Sequence, residues 1–505
     1  MGKKNFDSEF CGRLPLNNVN LIQDYGYLII ASRSELKILQ VSENSEELFH
    51  LSPEQLITAD LGKVLSGEDV KQIKIFIQND IARRVPMELT IGKSEVHSAL
   101  FHLKPDYLVL EIEGKPKSGK RKLSTVLADI QLAINSIEAE SDVKGISEVA
   151  IRELKKISGF DGVLMYQFDE DWNGKVIAEE KTDLLEPYLG QTFPASDIPK
   201  QARDLYLKNP YRQIPKREFT PVSLFPVVNP VSDGFLDLSD YNLRSVPSVH
   251  IEYMKNMGIN ASMSIRVLNN GKLWGLISCH HIEPKYIDME LCSIFEMLSA
   301  TISSKISTVL SLEDGQISAA LQQTRVDIMD RLHHKNNPDT AVFNTDGKEL
   351  LSLFSVGGAI LALNGKKGEV GVVPDTDFVD ELLLWIDNKN LSDIYYTDNL
   401  SEAFEEAGPF AKQASGLLVM PIDSKQSDYL ICFRPEVEAT IDWGGNPNEA
   451  ITFEANGKNY HPRNSFKLWK EKVENYSTAW KDAEIDAART LASFLSKLRL
   501  GETAE

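Results

Sequence analysis

From Ile287 to about Leu312 the apolar residues Ile287, Leu291, Ile294, Leu298, Ile302, Ile306 and Val309 recur at steps of three and four, one stripe of an amphipathic helix. Helices inside globular domains seldom exceed roughly 20 residues. So long a stripe predicts a bridge between domains, with separate modules on either side of it. Length agrees: 505 residues, at a prior of roughly 150 per domain, allow three domains with their own cores.

Composition excludes several partners. With 54 basic and 74 acidic residues the net charge is −20, the wrong sign for a nucleic-acid groove or an anionic membrane surface. The 4 cysteines are too few for a disulfide framework and fit a reducing compartment. No apolar run follows Lys3 and Lys4, so no secretory leader is expected. Phe6 breaks the myristoylation pattern. The longest apolar stretch, near Val356 to Leu363, is far short of the roughly 20 residues of a membrane helix. A soluble, acidic, cytoplasmic protein without nucleic-acid or membrane partners is expected.

Ahead of the long helix lie two modules. Strands are read at 27–31 and 36–41, helices at 45–49 and 66–82, and strand-like alternation at 87–91 and 98–112. The basic run Glu113 to Lys122 carries Gly and Pro and reads as a linker. Helices at 123–137 and 143–158 follow, then a hairpin of 162–168 with 175–180 around Asp171-Trp172-Asn173-Gly174. A Pro-rich stretch from Pro187 to Pro247 reads as irregular, and loops of that length are usually functional. A second hairpin joins 261–267 to 272–281 through Asn269-Asn270-Gly271, where Asn-Gly supplies positive φ. Its alternation puts Ser262, Ser264 and Arg266 on one face. After the long helix come strands at 355–363, 415–421 and 428–433, and a closing helix from about Ser465 to Leu500 whose unspent apolar face wants a partner.

Four places could carry chemistry. Phe193-Pro194-Ala195-Ser196-Asp197-Ile198-Pro199 sets an acid between prolines on a stiff backbone, and reads equally as a loop with a helix N-cap at Ser196 or Asp197. The segment Arg244 to Gly258 opens like a helix holding His250 and Tyr253, where a lone histidine is also an ordinary core residue. Cys279-His280-His281 ends a strand, so its histidines face opposite ways and cannot share a zinc ion. Cys11 is a single thiol in a polar extension, incidental or a point of covalent attachment.

Taken in order, these segments resemble a bacterial phytochrome photosensory core, the PAS–GAF–PHY arrangement. The carriers are Leu39-Gln-Val-Ser-Glu-Asn44, Pro194-Ala-Ser-Asp-Ile-Pro199, Leu236-Asp-Leu-Ser239 with Leu243-Arg-Ser-Val246, His250-Ile-Glu-Tyr253 with Asn256-Met-Gly258, Ser262-Met-Ser264 and Cys279-His-His281, then Trp443-Gly-Gly445-Asn-Pro447 and Pro462-Arg-Asn-Ser-Phe466. The resemblance implies an α+β chain of three tandem sensor domains, each an antiparallel sheet with flanking helices, joined by long helices. They would span 1–118 (extension and PAS), 123–310 (GAF) and 311–505 (PHY), with a tongue hairpin at about 438–470 and a C-terminal signalling helix.

It also implies a red/far-red photoreceptor that binds biliverdin IXα, a linear tetrapyrrole, through a thioether at Cys11. The alternative attachment position, just before the middle-domain histidine, is Val249. By resemblance, the main-chain carbonyl of Asp197, with Ile198 and Pro199 beside it, accepts pyrrole N–H groups, and His250 orders a central water and relays protons, a role suited to a side chain titrating near neutrality. Tyr206, Arg212, Arg244, Ser262 and Ser264 take the propionates, His280 holds the rotating ring's carbonyl, and Tyr166, Phe193 and Tyr253 wall that ring. Light would isomerise the bond before the last ring, and the tongue would change between strand and helix, pairing Arg463 with Asp197 in one state and Ser465 in the other, with Trp443 in the same tongue. Two positions depart from the family: Pro247-Ser248 inverts the usual Ser-then-Pro order, leaving Ser248 as a substitute contact, and Ile22-Gln23-Asp24-Tyr25-Gly26 replaces Ile-Gln-Pro-His-Gly.

Rival readings are a cysteine hydrolase using Cys11, His250 and Asp197, a haem or gas sensor ligated by His250 or His280, a cyclic-nucleotide GAF domain, and a pigment pocket without photoconversion. No kinase or cyclase motif is present, and His333-His334 read as a polar turn. The resemblance therefore implies a homodimer through long helices, with a downstream histidine kinase or diguanylate cyclase and a response regulator as partners.

Overall fold

The computed structural model describes residues 19–81, 84–92, 95–115, 123–334, 347–437, 439–447, 452–453, 460–461 and 465–499. Cys11, Arg463 and the basic run 116–122 lie outside them. Three large, chiefly antiparallel sheets with flanking helices are present, so the chain is α+β. It divides into two compact units, residues 1–309 with 442–469, and residues 310–441 with 470–505.

In the first unit a seven-stranded sheet runs in the order Leu21–Ile22, Val222–Phe225, Ile38–Ser42, Gly26–Ser32, Tyr107–Glu113, Glu95–Leu103, Val85–Ile91. Alternation along Gly26–Ser32 explains why it has no polar face. Ile29 and Ala31 enter a core with Phe101 and Leu110. Leu28 and Ile30 enter a second core with Leu224, Leu236, Leu238, Tyr241 and Leu243. The stretch read as irregular from Pro187 to Pro247 is thus partly ordered: it supplies a strand to this sheet, another strand, Tyr211–Ile214, to the next sheet, and a helix, Lys200–Lys208. Two further readings are corrected. The alternation at 98–112 is two strands broken at 104–106. Glu113 belongs to a strand, buried, where its carboxylate accepts from Tyr286 Oη and Met289 N at 2.5 Å each.

The second sheet orders Tyr211–Ile214, Ala261–Asn269, Lys272–His281, Gly162–Phe168, Gly174–Lys181 and Thr192–Phe193. The helix Val143–Ser158 lies over it with Ile146, Ala150 and Leu154 buried, capped by Asp142 accepting from Gly145 N and ended by Gly159 at φ +64°. The expected turn forms at Asn270 (φ 49°) and Gly271 (φ 79°). Past it, the long helix runs from Met289 to His334. His333 and His334 therefore end a helix rather than sit in a polar turn, because the Ala-, Leu- and Gln-rich residues beyond Leu312 keep propagating it.

The second unit holds a five-stranded sheet, Lys366–Gly371, Gly358–Leu363, Asp428–Arg434, Gly416–Asp423, Tyr395–Thr397. One face packs Leu361, Leu418 and Leu430 under Leu491 and Leu495 of the helix Asp482–Arg499. The other packs Ile360, Leu417 and Phe433 on Phe378 and Leu382 of the helix Thr376–Asn388. The buried pair Arg434–Glu484, 2.7 Å apart, ties sheet to closing helix, and Trp480 lies under the guanidinium at 3.7 Å. The expected helix from Ser465 is corrected: Leu468–Val473 is a strand, and the helix starts only at Asp482. Trp469 and Val473, four apart, fit a helical step as well as an extended one, and long-range pairing decided.

Candidate functional site

Strand register alone assembles one wall of a cavity. Across three strands Arg212 lies opposite Ser264, and Ser264 opposite Ser278; in the next row Ile214 lies opposite Ser262, and Ser262 opposite His280. Period-two alternation sends all of them to one face. Facing them are the helices Lys200–Lys208, bringing Leu205 and Tyr206, and Ser248–Asn256, bringing His250, Tyr253 and Met254. The loop Pro194–Pro199 closes one side with Asp197, Ile198 and Pro199. About 1520 Å³ of non-protein space lies within, its open mouth included.

One end is aromatic. Tyr166 and Phe193 meet edge to face at 5.5 Å, and Tyr188 meets the other side of Phe193 at the same distance. Tyr253 is parallel to His250 at 6.0 Å, donates its hydroxyl to Asp197 Oδ2 at 2.9 Å, and takes the edge of Phe466 at 5.0 Å. The other end is cationic. Arg212 donates through its Nη atoms to the main-chain carbonyls of Arg244 (2.6 Å), Ser245 (2.9 Å) and Asn242 (3.3 Å). Burial pulls its pKa down; burial, then repulsion from Arg212, brings Arg244 down to about 8. Burial raises the pKa of Tyr206, which shares a hydrogen bond with Ser264. Among the described lining residues Asp197 is the only acid, so this donor set, two guanidiniums with three hydroxyls, suits carboxylates brought by a ligand.

Both cavity histidines are neutral at pH 7. Burial, with Arg212 nearby, lowers His250 to about 4; burial, with His250 nearby, lowers His280 to about 4. This corrects the expectation that His250 titrates near neutrality. His281 turns to the opposite face, as alternation requires, with Nδ1 2.7 Å from Asp161 Oδ2.

Of the residues singled out from sequence, those on the loop, the two helices and the strands converge on this cavity. Ser248 does not: it is the exposed first residue of its helix, while Pro247 lies on the cavity wall. The suggested N-cap at Ser196 or Asp197 is also overturned, since both sit in a 3-10 turn and the helix starts at Lys200 after Pro199. Trp443 is buried and pairs in parallel with Thr192, next to the wall rather than on it. A Cβ on Gly444 would fall 2.7 Å from Phe193 Cζ, so only glycine lets this segment approach. Ser465 is exposed. Sequence reasoning missed the apolar lining, among it Leu205, Met254, Met257, Ile259 and Leu276; only Ser278, two residues before His280, carried a usable signal in its alternation. Among the described residues no cluster of His, Cys, Asp and Glu is suited to a metal ion, and no helix is long and apolar enough to cross a membrane.

Family models match at residues 11–115 (PAS fold), 142–306 (GAF domain) and 321–504 (Phytochrome region). The chain is 37% identical to cyanobacterial phytochrome B of a Nostoc species, over 99% of this chain and 67% of that protein. It is 31% identical to a bacteriophytochrome of Pseudomonas aeruginosa, over 98% of this chain and 67% of that one. It thus spans about two thirds of the length of these relatives. Among solved structures, a bacteriophytochrome from the photosynthetic bacterium R. palustris superposes with a TM-score of 0.85 at 30% identity, covering 98% of this chain and 99% of that one. The phytochrome photosensory core module of Stigmatella aurantiaca gives 0.83 at 29%, covering 99% of each chain.

Proposed function

The chain belongs to the phytochrome family of light photoreceptors, and on that premise we propose that its cavity holds biliverdin, attached through Cys11. The observation that carries this reading is the cavity's lining: two buried guanidiniums with hydroxyls beside them, two neutral histidines and an aromatic cluster. A linear tetrapyrrole suits that lining, with propionates on its two inner rings to meet the cations and outer rings to fill apolar space. Attachment at Cys11 is a simple addition: the sulfur bonds to a vinyl carbon, the thiol proton goes to its neighbour, and no oxidant is required.

Held there, such a pigment would supply absorption of red light and isomerisation about the double bond before its last ring. The protein's part is to bind and constrain. Arg244 and Arg212, with Tyr206, Ser262 and Ser264, anchor the propionates; the Asp197 carbonyl accepts pyrrole N–H groups in a site with little competing water. His250 and His280, held neutral, supply both donor and acceptor nitrogens, which an imidazolium could not. Tyr253 fixes the Asp197 carboxylate on one side and touches Phe466 on the other, so a change in the cage is felt at the 442–469 segment. We place the domains at 1–118, 123–310 and 311–505, and assign Arg463, Ser465 and Trp443 to a tongue that refolds. Homodimerisation through long helices, and a histidine kinase or diguanylate cyclase output, belong to the same proposal.

The test of attachment is denaturing electrophoresis after mixing with biliverdin, read by zinc-induced fluorescence. The band is expected to glow, and Cys11→Ser to abolish the glow while keeping a coloured native protein; a glowing Cys11→Ser band would refute the assignment.

A further inference from the structure

The turn at residues 169–173 sits outside the cavity, and the proposed function gives it no role. Its geometry is nonetheless costly. Trp172 has φ +65°, a left-handed conformation that a bulky side chain adopts only when its surroundings enforce it. The enforcement is visible. Trp172 N donates to Asp169 O at 3.1 Å, and Asp169 N to Asn173 O at 2.9 Å. The Asp169 carboxylate takes Asn173 N at 2.8 Å and Asn173 Nδ2 at 2.9 Å.

Because the Asn173 amide nitrogen is engaged by Asp169, its oxygen is turned toward the cavity loop, where Oδ1 accepts from Ala195 N at 3.2 Å. On the same turn the Trp172 ring lies under the Arg203 guanidinium, 4.6 Å away, and Arg203 Nη1 donates to Ile198 O at 2.7 Å. Arg203 is 4% exposed. The turn therefore grips the cavity loop twice, at Ala195 directly and at Ile198 through Arg203. These grips bracket Asp197, whose own N–H is used locally, on Pro194 O at 2.9 Å. We propose that Trp172, Asn173 and Arg203 are positioning residues that fix the direction of the Asp197 carbonyl, and through it the proton affinity of the bound pigment.

The inference rests on the reading of Asp197 as acceptor, so two arms separate the two. In the first, biliverdin-loaded protein is titrated with alkali and loss of the red absorbance band is followed. A loosened acceptor favours the deprotonated pigment, so Trp172→Ala and Arg203→Ala are expected to lower the midpoint by about one pH unit. Arg203→Lys, which keeps a cation over the ring and one donor, should recover part of that loss. In the second arm, amide exchange is measured on the protein without pigment. Asn173→Ala should speed exchange at Ala195 roughly tenfold and leave amides of the helix Val143–Ser158 unchanged. Wild-type midpoints in the loaded variants, or unchanged exchange at Ala195, would overturn the brace. Failure of the wild-type chain to bind biliverdin would instead remove the acceptor reading, with the exchange arm still deciding whether the turn holds the loop.

Discussion

Arg244 carries a positive charge in a place where the folded chain would rather have none. Burial and repulsion from Arg212 together bring it to about 8, so desolvating this cation costs the fold stability that a bound carboxylate would return. Replacing it should act in opposite directions with and without pigment. Arg244→Gln is expected to raise the urea midpoint of the apoprotein and to weaken biliverdin retention at least tenfold, in a Cys11→Ser background where retention is non-covalent; a lowered apoprotein midpoint would contradict this. The histidines give a second prediction. His280 is pushed down to about 4 from an unfolded value near 6.5. The unfolded chain then binds the extra proton, so this contribution to stability is complete above about 6.5 and is lost as pH falls toward 4, on the order of 3 kcal/mol for this ring. His250 shifts the same way, with less effect because part of its surface faces the cavity. Urea midpoints of the apoprotein between pH 7 and 4 should fall steeply for the wild type and less steeply for His280→Gln; parallel curves would count against neutral burial. At this scale much of the site was legible. Period-two alternation put Ser262 and Ser264 on one face and the resemblance added His280, but nothing local to Ser248 showed that a helix start would point it outward and leave Pro247 on the wall.

At the scale of elements, the close approach of Gly444 to the Phe193 ring is the most exposed joint. A Cβ there would lie 2.7, 2.9 and 3.1 Å from ring carbons, so Gly444→Val must move the segment or the ring, at about 1–3 kcal/mol. Trp443, 7% exposed beside Thr192, reports which. Acrylamide quenching should rise in Gly444→Val and not in Gly444→Val combined with Trp443→Phe; quenching equal to wild type would mean that the ring yields instead. The two Trp-Gly-Gly glycines were visible in the sequence, and the reason for the first was not, since it depends on a strand some 250 residues away. Hairpins and amphipathic helices were readable because their periods are local. The helix Lys200–Lys208 was not, because Leu205 and Tyr206 face a cavity while Leu207 is exposed and Arg203 is buried, so no apolar stripe marks it. Leu468–Val473 misled for the converse reason: its apolar spacing serves either state, which is the property a refolding segment needs.

Across the whole molecule, the first two sheets are not separable modules joined by a linker. Val222–Phe225 is a strand of the first sheet, and Leu224, Leu236, Leu238, Tyr241 and Leu243, none more than 1% exposed, are covered by Leu28, Ile30 and Val109. A fragment of residues 123–334 leaves these side chains in water, at roughly 2 kcal/mol each. It is expected to aggregate or bind ANS strongly, whereas residues 1–334 should unfold in one cooperative transition; a monomeric, ANS-silent 123–334 would contradict the shared core. What the cavity is for is settled most directly by one spectrum. Purified chain mixed with biliverdin should develop red or far-red absorption that red and far-red light interconvert, a red band falling under red light as a longer-wavelength band grows and returning under far-red light. A preparation that stays colourless, or one that colours and does not change under illumination, would contradict the proposal that this cavity holds a switching pigment.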